Sequence, residues 1–102
     1  MYTIKYAESY RDDVKSAINY IKNNLQNPIA AQKLKDVIRN KIGNIKENPL
    51  IYSRVPDEFL ASKGYRFSII NNYLLFFLVK EKQIEIIRFL YGYRDWINML
   101  EK

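Results

Sequence analysis

Hydrophobic and polar residues alternate at the start of the chain and then change to a helical period. The alternation predicts a short strand over Tyr2–Tyr6, with its apolar members on one face. From Glu8 or Ser9 onward, apolar residues recur at steps of three and four, as on one side of an amphipathic helix. The apolar stripe of this first helix consists of Tyr10, Val14, Ala17, Ile18, Ile21 and Leu25.

A second helix is predicted after the Asn27-Pro28 pair, because Asn caps helix N-termini and Pro suits the first helical position. This helix is expected to end at Asn48-Pro49. With so short a link, the two helices should form an antiparallel hairpin. The second apolar stripe consists of Ala30, Ala31, Leu34, Val37, Ile38, Ile42 and Ile45.

The C-terminal half begins with an irregular segment and continues with three strand-like runs. Leu50–Lys63 carries turn-forming residues, so we expect a loop that ends at Gly64. Polar breaks at Asn71-Asn72 and Lys80–Gln83 have the length of hairpin connections and predict a meander. The three strands are Tyr65–Asn71, Tyr73–Val79 and Ile84–Leu90. Residues 94–102 fit either a short strand extension or a final helical turn.

These elements follow the order β-α-α-β-β-β and predict one α+β domain over residues 1–102. We expect the helical hairpin to pack on one face of a small, mostly antiparallel four-stranded sheet, which buries every apolar stripe. Because two helices cover only one face, the other face is expected to stay available for function.

Composition excludes several kinds of chemistry. The 102 residues contain no Cys and no His, which removes disulfides, thiol nucleophiles, imidazole bases and the usual zinc sites. Any catalysis would depend on Arg, Lys, Tyr, Ser and carboxylates, and we expect neither a metal nor a cofactor. The longest apolar run, Tyr73–Val79, is far shorter than the roughly 20 residues that span a bilayer, and no signal peptide is evident. We therefore expect a cytoplasmic protein without membrane contact.

Charge and strand arginines supply the first functional candidates. The chain has 17 Lys+Arg against 11 Asp+Glu, and the net charge of +6 favours polyanions or an acidic protein partner. Arg66 and Ser68 share one strand face, which is the open one if the aromatic face meets the helices. Arg88 has the parity of apolar neighbours, so its face is ambiguous, and half-burial beside a carboxylate is one alternative. Solvated or ion-paired arginines are the simpler interpretation, and contact with a phosphate or acidic group is the functional one.

Other charged residues have weaker signals. A basic run in the second helix is expected to be a solvated face, with a nucleic-acid footprint as the alternative. This run consists of Lys33, Lys35, Arg39, Lys41 and Lys46. Asp12 and Asp13 point about 100° apart on the first helix, which is poor geometry for a catalytic pair, so we expect solvated surface residues.

A series of short motifs is specific in combination, although each is weak alone. The motifs are Leu25–Ala31, Asn48-Pro49, Gly64-Tyr65-Arg66, Tyr73–Phe77 and Ile87–Trp96, after a Tyr-rich first strand. In this order they resemble the RelE/ParE superfamily of bacterial toxins from type II toxin–antitoxin modules, with the ParE-like branch closer. The resemblance covers essentially the whole chain.

The resemblance implies a growth-inhibiting toxin, often linked to plasmid stabilisation, that a cognate antitoxin neutralises with an extended or helical segment. It implies operator DNA binding only through the antitoxin complex. In the RelE branch the target is the ribosome with its mRNA, and in the ParE branch the target is DNA gyrase.

The nuclease branch requires groups that hold the RNA backbone and protonate the leaving oxygen. Arg66 and Arg94 match basic positions of its pattern, but Ser68 and Leu74 stand at two others, and no clear match to its C-terminal Tyr exists. If the chain cleaves RNA, its candidate catalytic residues are Arg66, Arg88, Arg94, Tyr91 and Tyr93.

We therefore expect a toxin that binds and inhibits gyrase without doing chemistry. A ribosome-dependent endoribonuclease and a degenerate toxin that binds only its antitoxin are the alternatives. The expected target-binding residues are Arg66, Ser68, Arg88, Arg94 and Trp96, and the expected antitoxin contacts are Tyr52 and Tyr93.

Overall fold

A computed structural model describes residues 1–92 and 95–101, and of Glu101 the backbone alone. Tyr93, Arg94 and Lys102 lie outside the described residues. The elements are β1 (Thr3–Tyr6), α1 (Glu8–Asn19) with a π-helical turn (Tyr20–Asn24), α2 (Pro28–Glu47), a 3-10 turn (Pro49–Ile51), α3 (Glu58–Ser62), β2 (Arg66–Ile70), β3 (Tyr73–Lys80), β4 (Gln83–Tyr91) and α4 (Trp96–Glu101). This order confirms the predicted strands and the two long helices.

The link between α1 and α2 is formed by local hydrogen bonds. Leu25 donates its amide to the carbonyl of Tyr20, and Gln26 then takes a left-handed conformation with φ of 48°. The side-chain oxygen of Asn27 accepts the amide of Ala30 at 3.0 Å, and Pro28 is the first helical residue. The predicted cap therefore starts α2 where the sequence indicated.

The four strands form one mixed sheet in the order β1-β4-β3-β2. β1 runs parallel to β4, and the other two pairings are antiparallel. Asn71 and Glu81 have φ of 54° and 57°, and they lie in the two turns that connect the antiparallel strands. The mostly antiparallel sheet is confirmed.

The helical hairpin packs on one face of this sheet, as predicted. Strand residues such as Leu75, Phe77 and Ile86 are fully buried there, against Leu34 and Ile38 of α2. We call this the helix-side core. Because the apolar stripes of both helices meet β-branched and aromatic strand residues, burial of this layer supplies most of the hydrophobic stabilisation.

The opposite face of the sheet is not open over its whole width, and the expectation of a free face is wrong. Val55, Leu60, Phe76, Leu90 and Leu100 are buried in a second core, which brings α3 and α4 against the sheet. The segment expected to be irregular contains α3, which begins where the Asp57 carboxylate accepts the amide of Leu60 at 3.0 Å. The final residues take the helical alternative as α4.

In the part of the chain that the structure describes, no helix combines the length and hydrophobicity required to cross a membrane.

Candidate functional site

Arg88 is held internally by the carboxylate of Asp13. The Nε and Nη2 atoms of Arg88 donate to the two Asp13 oxygens at 2.7 and 2.9 Å. The side chains are 20% and 13% exposed, so the pair is largely shielded from water. The hydrogen bond to Asp13 raises the pKa of Arg88 above its usual value despite the opposing effect of burial. Of the alternatives for Arg88, the structure has the half-buried, carboxylate-paired one, and the expectation of a solvated Asp13 is wrong.

The same carboxylate closes an edge of the sheet. β1 pairs with β4 only as far as Ile86, so the rest of β4 has no neighbouring strand on that side. Ser9 of α1 donates its hydroxyl to the carbonyl of Ile87 at 2.7 Å, and Asp13 accepts the amide of Phe89 at 2.9 Å. One face of α1 therefore satisfies backbone groups that a strand would otherwise bind.

A β-bulge interrupts the alternation of β4, so Arg88 does not share one face with all the apolar residues at even positions of the strand. Phe76 is paired with Arg88 while the next residue, Phe77, is paired with Ile86, so Ile87 is an extra residue in β4. Ile86 belongs to the helix-side core and Leu90 to the second core. A bulge shifts the alternation by one position, which is why residues of equal parity lie on different faces.

Arg66 and Ser68 lie on the helix side of β2, so the expected open-side placement is wrong. Ser68 is only 6% exposed and is paired with Leu75 of the helix-side core. The guanidinium of Arg66 donates to the carbonyls of Tyr52 and Leu50 at 2.6 and 3.5 Å. Tyr65 and Phe67, on the other face, pack against the second core. Because both faces of β2 meet apolar layers, its aromatic residues did not determine which face is inner.

The remaining predicted residues are dispersed. Trp96 begins α4 and packs in the second core, with its ring 5.5 Å from that of Phe76. The half-buried ring of Tyr52 meets Phe77 edge-on at 5.7 Å. Tyr91 is 40% exposed at the end of β4 and contacts Tyr73. Tyr93 and Arg94 lie outside the described residues. The candidates for catalysis are thus not gathered into one described cluster.

An open cleft between α1 and the end of the sheet is a feature that the sequence reasoning missed. Its volume is about 770 Å³. The described residues that line it are Asp13, Ser16, Ala17, Tyr20, Ile21, Leu25, Ala30, Leu34, Asn71, Asn72, Tyr73, Phe89 and Tyr91. Burial is the main cause that raises the pKa of Tyr73, and the nearby Tyr91 and Tyr20 raise it further. Among these residues only Asp13 has a charge, and it binds Arg88, so the cleft suits apolar or aromatic side chains.

The described residues were compared for groups that could bind a metal ion. Within residues 1–92 and 95–101, no three carboxylates lie close enough together to hold a cation.

The basic run of α2 is mostly exposed, and Arg39 is within 3.7 Å of Asp36 on the same helix. That placement agrees with the interpretation of the run as a solvated helix face.

Comparison with known proteins identifies a family that the sequence matches. The sequence matches the family model described as the ParE toxin of the type II toxin–antitoxin system parDE over residues 4–96. A search of curated proteins gives no significant match.

Solved structures agree in fold. The chromosomal ParDE toxin–antitoxin system from P. aeruginosa contains a chain with a TM-score of 0.73 and 20% identity, over 89% of this chain and 96% of that one. A chain of the YoeB-YefM complex from Staphylococcus aureus has a TM-score of 0.61 and 19% identity, over 91% of this chain and 99% of that one. A chain of the E. coli DinJ-YafQ complex has a TM-score of 0.56 and 22% identity, over 89% of this chain and 93% of that one. Since the family model covers nearly the whole chain and the fold agrees, this chain belongs to the ParE toxin family of type II toxin–antitoxin systems.

Proposed function

We propose that this toxin acts by binding and inhibiting DNA gyrase, without chemistry of its own. The observation that carries the proposal is the internal bonding of both strand arginines. Arg88 is paired with Asp13, and Arg66 donates to two backbone carbonyls. A ribonuclease needs cations aimed at a phosphate and a group that protonates the leaving oxygen. Arginines that hold the fold together are poorly suited to that task, and the family match favours the gyrase branch.

A cognate antitoxin is the second part of the proposal. The compared structures from P. aeruginosa, S. aureus and E. coli are those of toxin–antitoxin systems. The net charge of +6 favours an acidic partner. Tyr52 and Tyr93 stay our proposed antitoxin contacts, and for Tyr52 the contact would be made by the exposed part of a half-buried ring.

The direct test is a supercoiling assay with purified gyrase and relaxed plasmid. We expect the toxin to inhibit supercoiling and its complex with the antitoxin to leave the reaction unchanged. An unaffected reaction at large molar excess of toxin would contradict the proposal. On sequence grounds we propose that Arg94 contacts the target, so Arg94→Ala should relieve inhibition while Arg39→Ala, on the exposed side of α2, should not.

The alternatives have separate signatures. A ribosome-dependent endoribonuclease would cleave mRNA in a translating extract, and a folded Arg66→Ala or Arg94→Ala variant would lose that activity. A degenerate toxin would bind its antitoxin and cause no growth arrest when overproduced.

A further inference from the structure

The two long helices have positively charged sides that face each other. A groove of about 370 Å³ runs between α1 and α2, and its charged residues are Arg11, Lys15 and Lys35. Lys46 follows Lys35 by eleven positions, which is close to three turns of α2, so it lies on the same side of that helix. All four residues are exposed. We call these four residues the groove cations.

The groove cations have no partner of opposite charge. None of them forms a salt bridge within residues 1–92 and 95–101. No carboxylate is among the described residues that line the groove. Arg39, on the same side of α2, differs because Asp36 lies 3.7 Å from its guanidinium. Paired helices usually carry opposite charges along their contact, so like charges here repel one another and a bound anion would relieve that repulsion.

The floor of the groove is apolar but largely closed. Tyr10 and Ile18 are buried there, and Val14 is half-buried. The exposed apolar side chains of Tyr20 and Leu25 lie near the connection of the two helices and do not line this groove. A protein partner obtains much of its binding energy from apolar side chains that enter pockets. The groove offers charge and little accessible apolar surface, which favours a polyanion over a protein segment.

We infer that the groove cations bind the phosphate backbone of duplex DNA. The inference rests on the proposed function, because a toxin that inhibits gyrase meets that enzyme with its DNA, and it adds a direct contact with the duplex. Lys35 and Lys46 are separated by about 16 Å along α2, and over that distance one DNA strand carries about five phosphates. The cations therefore suit a row of phosphates better than a single small anion.

This contact is expected not to depend on base sequence. Bases are read by an element that enters a groove of the duplex, whereas contacts to phosphates carry no direct sequence information. Two packed helices are together about 20 Å wide, which exceeds the roughly 12 Å of the major groove. The hairpin therefore lies against the backbone, and its contact with DNA differs from recognition of an operator.

Fluorescence anisotropy with the purified toxin tests the inference. The probes are two labelled DNA duplexes of unrelated sequence, each about 20 base pairs long. We expect their affinities to agree within about threefold and to fall with salt at a logarithmic slope of about −3 to −4, since four neutralised phosphates release that many counterions. Absence of binding at low ionic strength, or an affinity that salt does not change, would overturn the inference.

A matched pair of double variants separates the groove from net charge. Lys15→Gln with Lys35→Gln removes two groove cations. Lys33→Gln with Lys63→Gln removes two exposed lysines elsewhere, and Lys33 lies on the opposite side of α2 from Lys35. We expect the first variant to bind DNA at least about tenfold more weakly and its salt slope to shrink by about 2, and the second to lose less than about threefold. Equal losses in two proteins with the same thermal unfolding would mean that net charge alone attracts DNA, and would overturn the inference.

Other occupants of the groove give different results. Duplex RNA has the same phosphate chemistry, and an affinity for RNA at least about tenfold above that for DNA would overturn the choice of DNA. An acidic segment of the antitoxin is the alternative among proteins. If Lys15→Gln with Lys35→Gln lost affinity for the antitoxin and kept its affinity for DNA, the groove would be a protein contact and the inference would be wrong.

Failure of the proposed function has a separate signature. A toxin that binds DNA through the groove but leaves supercoiling unchanged would remove the gyrase proposal and keep the groove contact. A toxin that inhibits gyrase, while both double variants bind DNA equally, would keep the gyrase proposal and remove this inference. If both are right, Lys15→Gln with Lys35→Gln should inhibit supercoiling with at least about tenfold lower potency than Lys33→Gln with Lys63→Gln.

Discussion

Asp13 binds the Arg88 guanidinium through both carboxylate oxygens and, with one of them, the amide of Phe89. A single side chain of α1 thus neutralises a shielded cation and closes an open strand edge. The contact joins positions more than seventy residues apart, and it fixes α1 against the end of β4.

Replacement of Asp13 by Ala should destabilise the fold strongly. The change leaves a shielded guanidinium without its counter-ion and a strand amide without its acceptor, and loss of one partner of such a pair typically costs about 3 kcal/mol. The free energy of unfolding from urea titration measures the effect. Asp12→Ala, at the exposed neighbouring position, should change it by less than about 0.5 kcal/mol. Equal effects of the two variants would contradict a structural role for Asp13.

Stability should fall in alkali. Burial raises the pKa of Tyr10 to about 12, so its neutral form stabilises the fold. That stabilisation is complete below pH 10.0, the unfolded value, and is lost as pH rises through the folded value. The two-unit difference corresponds to about 2–3 kcal/mol. Tyr10→Phe, which cannot ionise, should reduce the alkaline slope in unfolding measurements from pH 9 to 12, and an unchanged slope would argue against this origin.

Loss of charge on Arg88 should add no slope between pH 6 and 9. The raised pKa of Arg88 means that its stabilising charge is lost only above its usual, strongly alkaline value. A comparison of wild-type and Arg88→Gln proteins between pH 6 and 9 should therefore give a constant difference in unfolding free energy. A difference that changes over those pH units would show that another group titrates with the pair.

Arg66 should affect stability rather than activity alone. Its guanidinium connects β2 to the segment after α2 through the carbonyls of Tyr52 and Leu50. Arg66→Ala is expected to cost about 2 kcal/mol, since hydrogen bonds from charged donors contribute more than neutral ones. Arg39→Ala, on an exposed helix face, is the control and should be nearly neutral. An Arg66→Ala protein as stable as the wild type would contradict this structural role and would favour a functional role for Arg66.

The start of α2 should depend on Asn27. Its side chain accepts the amide of Ala30, so Asn27→Ala should cost about 1 kcal/mol, whereas Asn27→Asp should retain the cap. Thermal unfolding of the two variants beside Asn24→Ala, in the exposed π-helical turn, provides the comparison. Identical melting temperatures for Asn27→Ala and Asn27→Asp would mean that the cap contributes little.

The amino-acid sequence by itself determined most of the local elements of this protein, although it did not indicate α3. The helical period of α1 and α2, the cap at Asn27 and the break at Asn71-Asn72 act between residues close in the chain, and the structure agrees with them. Of the break predicted at Lys80–Gln83, only the two middle residues form the turn, because Lys80 and Gln83 pair as the ends of β3 and β4. The order of these elements also sufficed for the resemblance that the family match supports.

Only the tertiary structure decided which face of β2 is covered by the helical hairpin and which arginines are bonded within the protein. β2 carries apolar residues on both faces, so its pattern suited either orientation until α3 and α4 covered Tyr65 and Phe67. The bulge at Ile87 and the pairing of Arg88 with Asp13 depend on where α1 lies against β4. Such contacts join residues distant in sequence, and their energies come from packing and desolvation that no local pattern encodes.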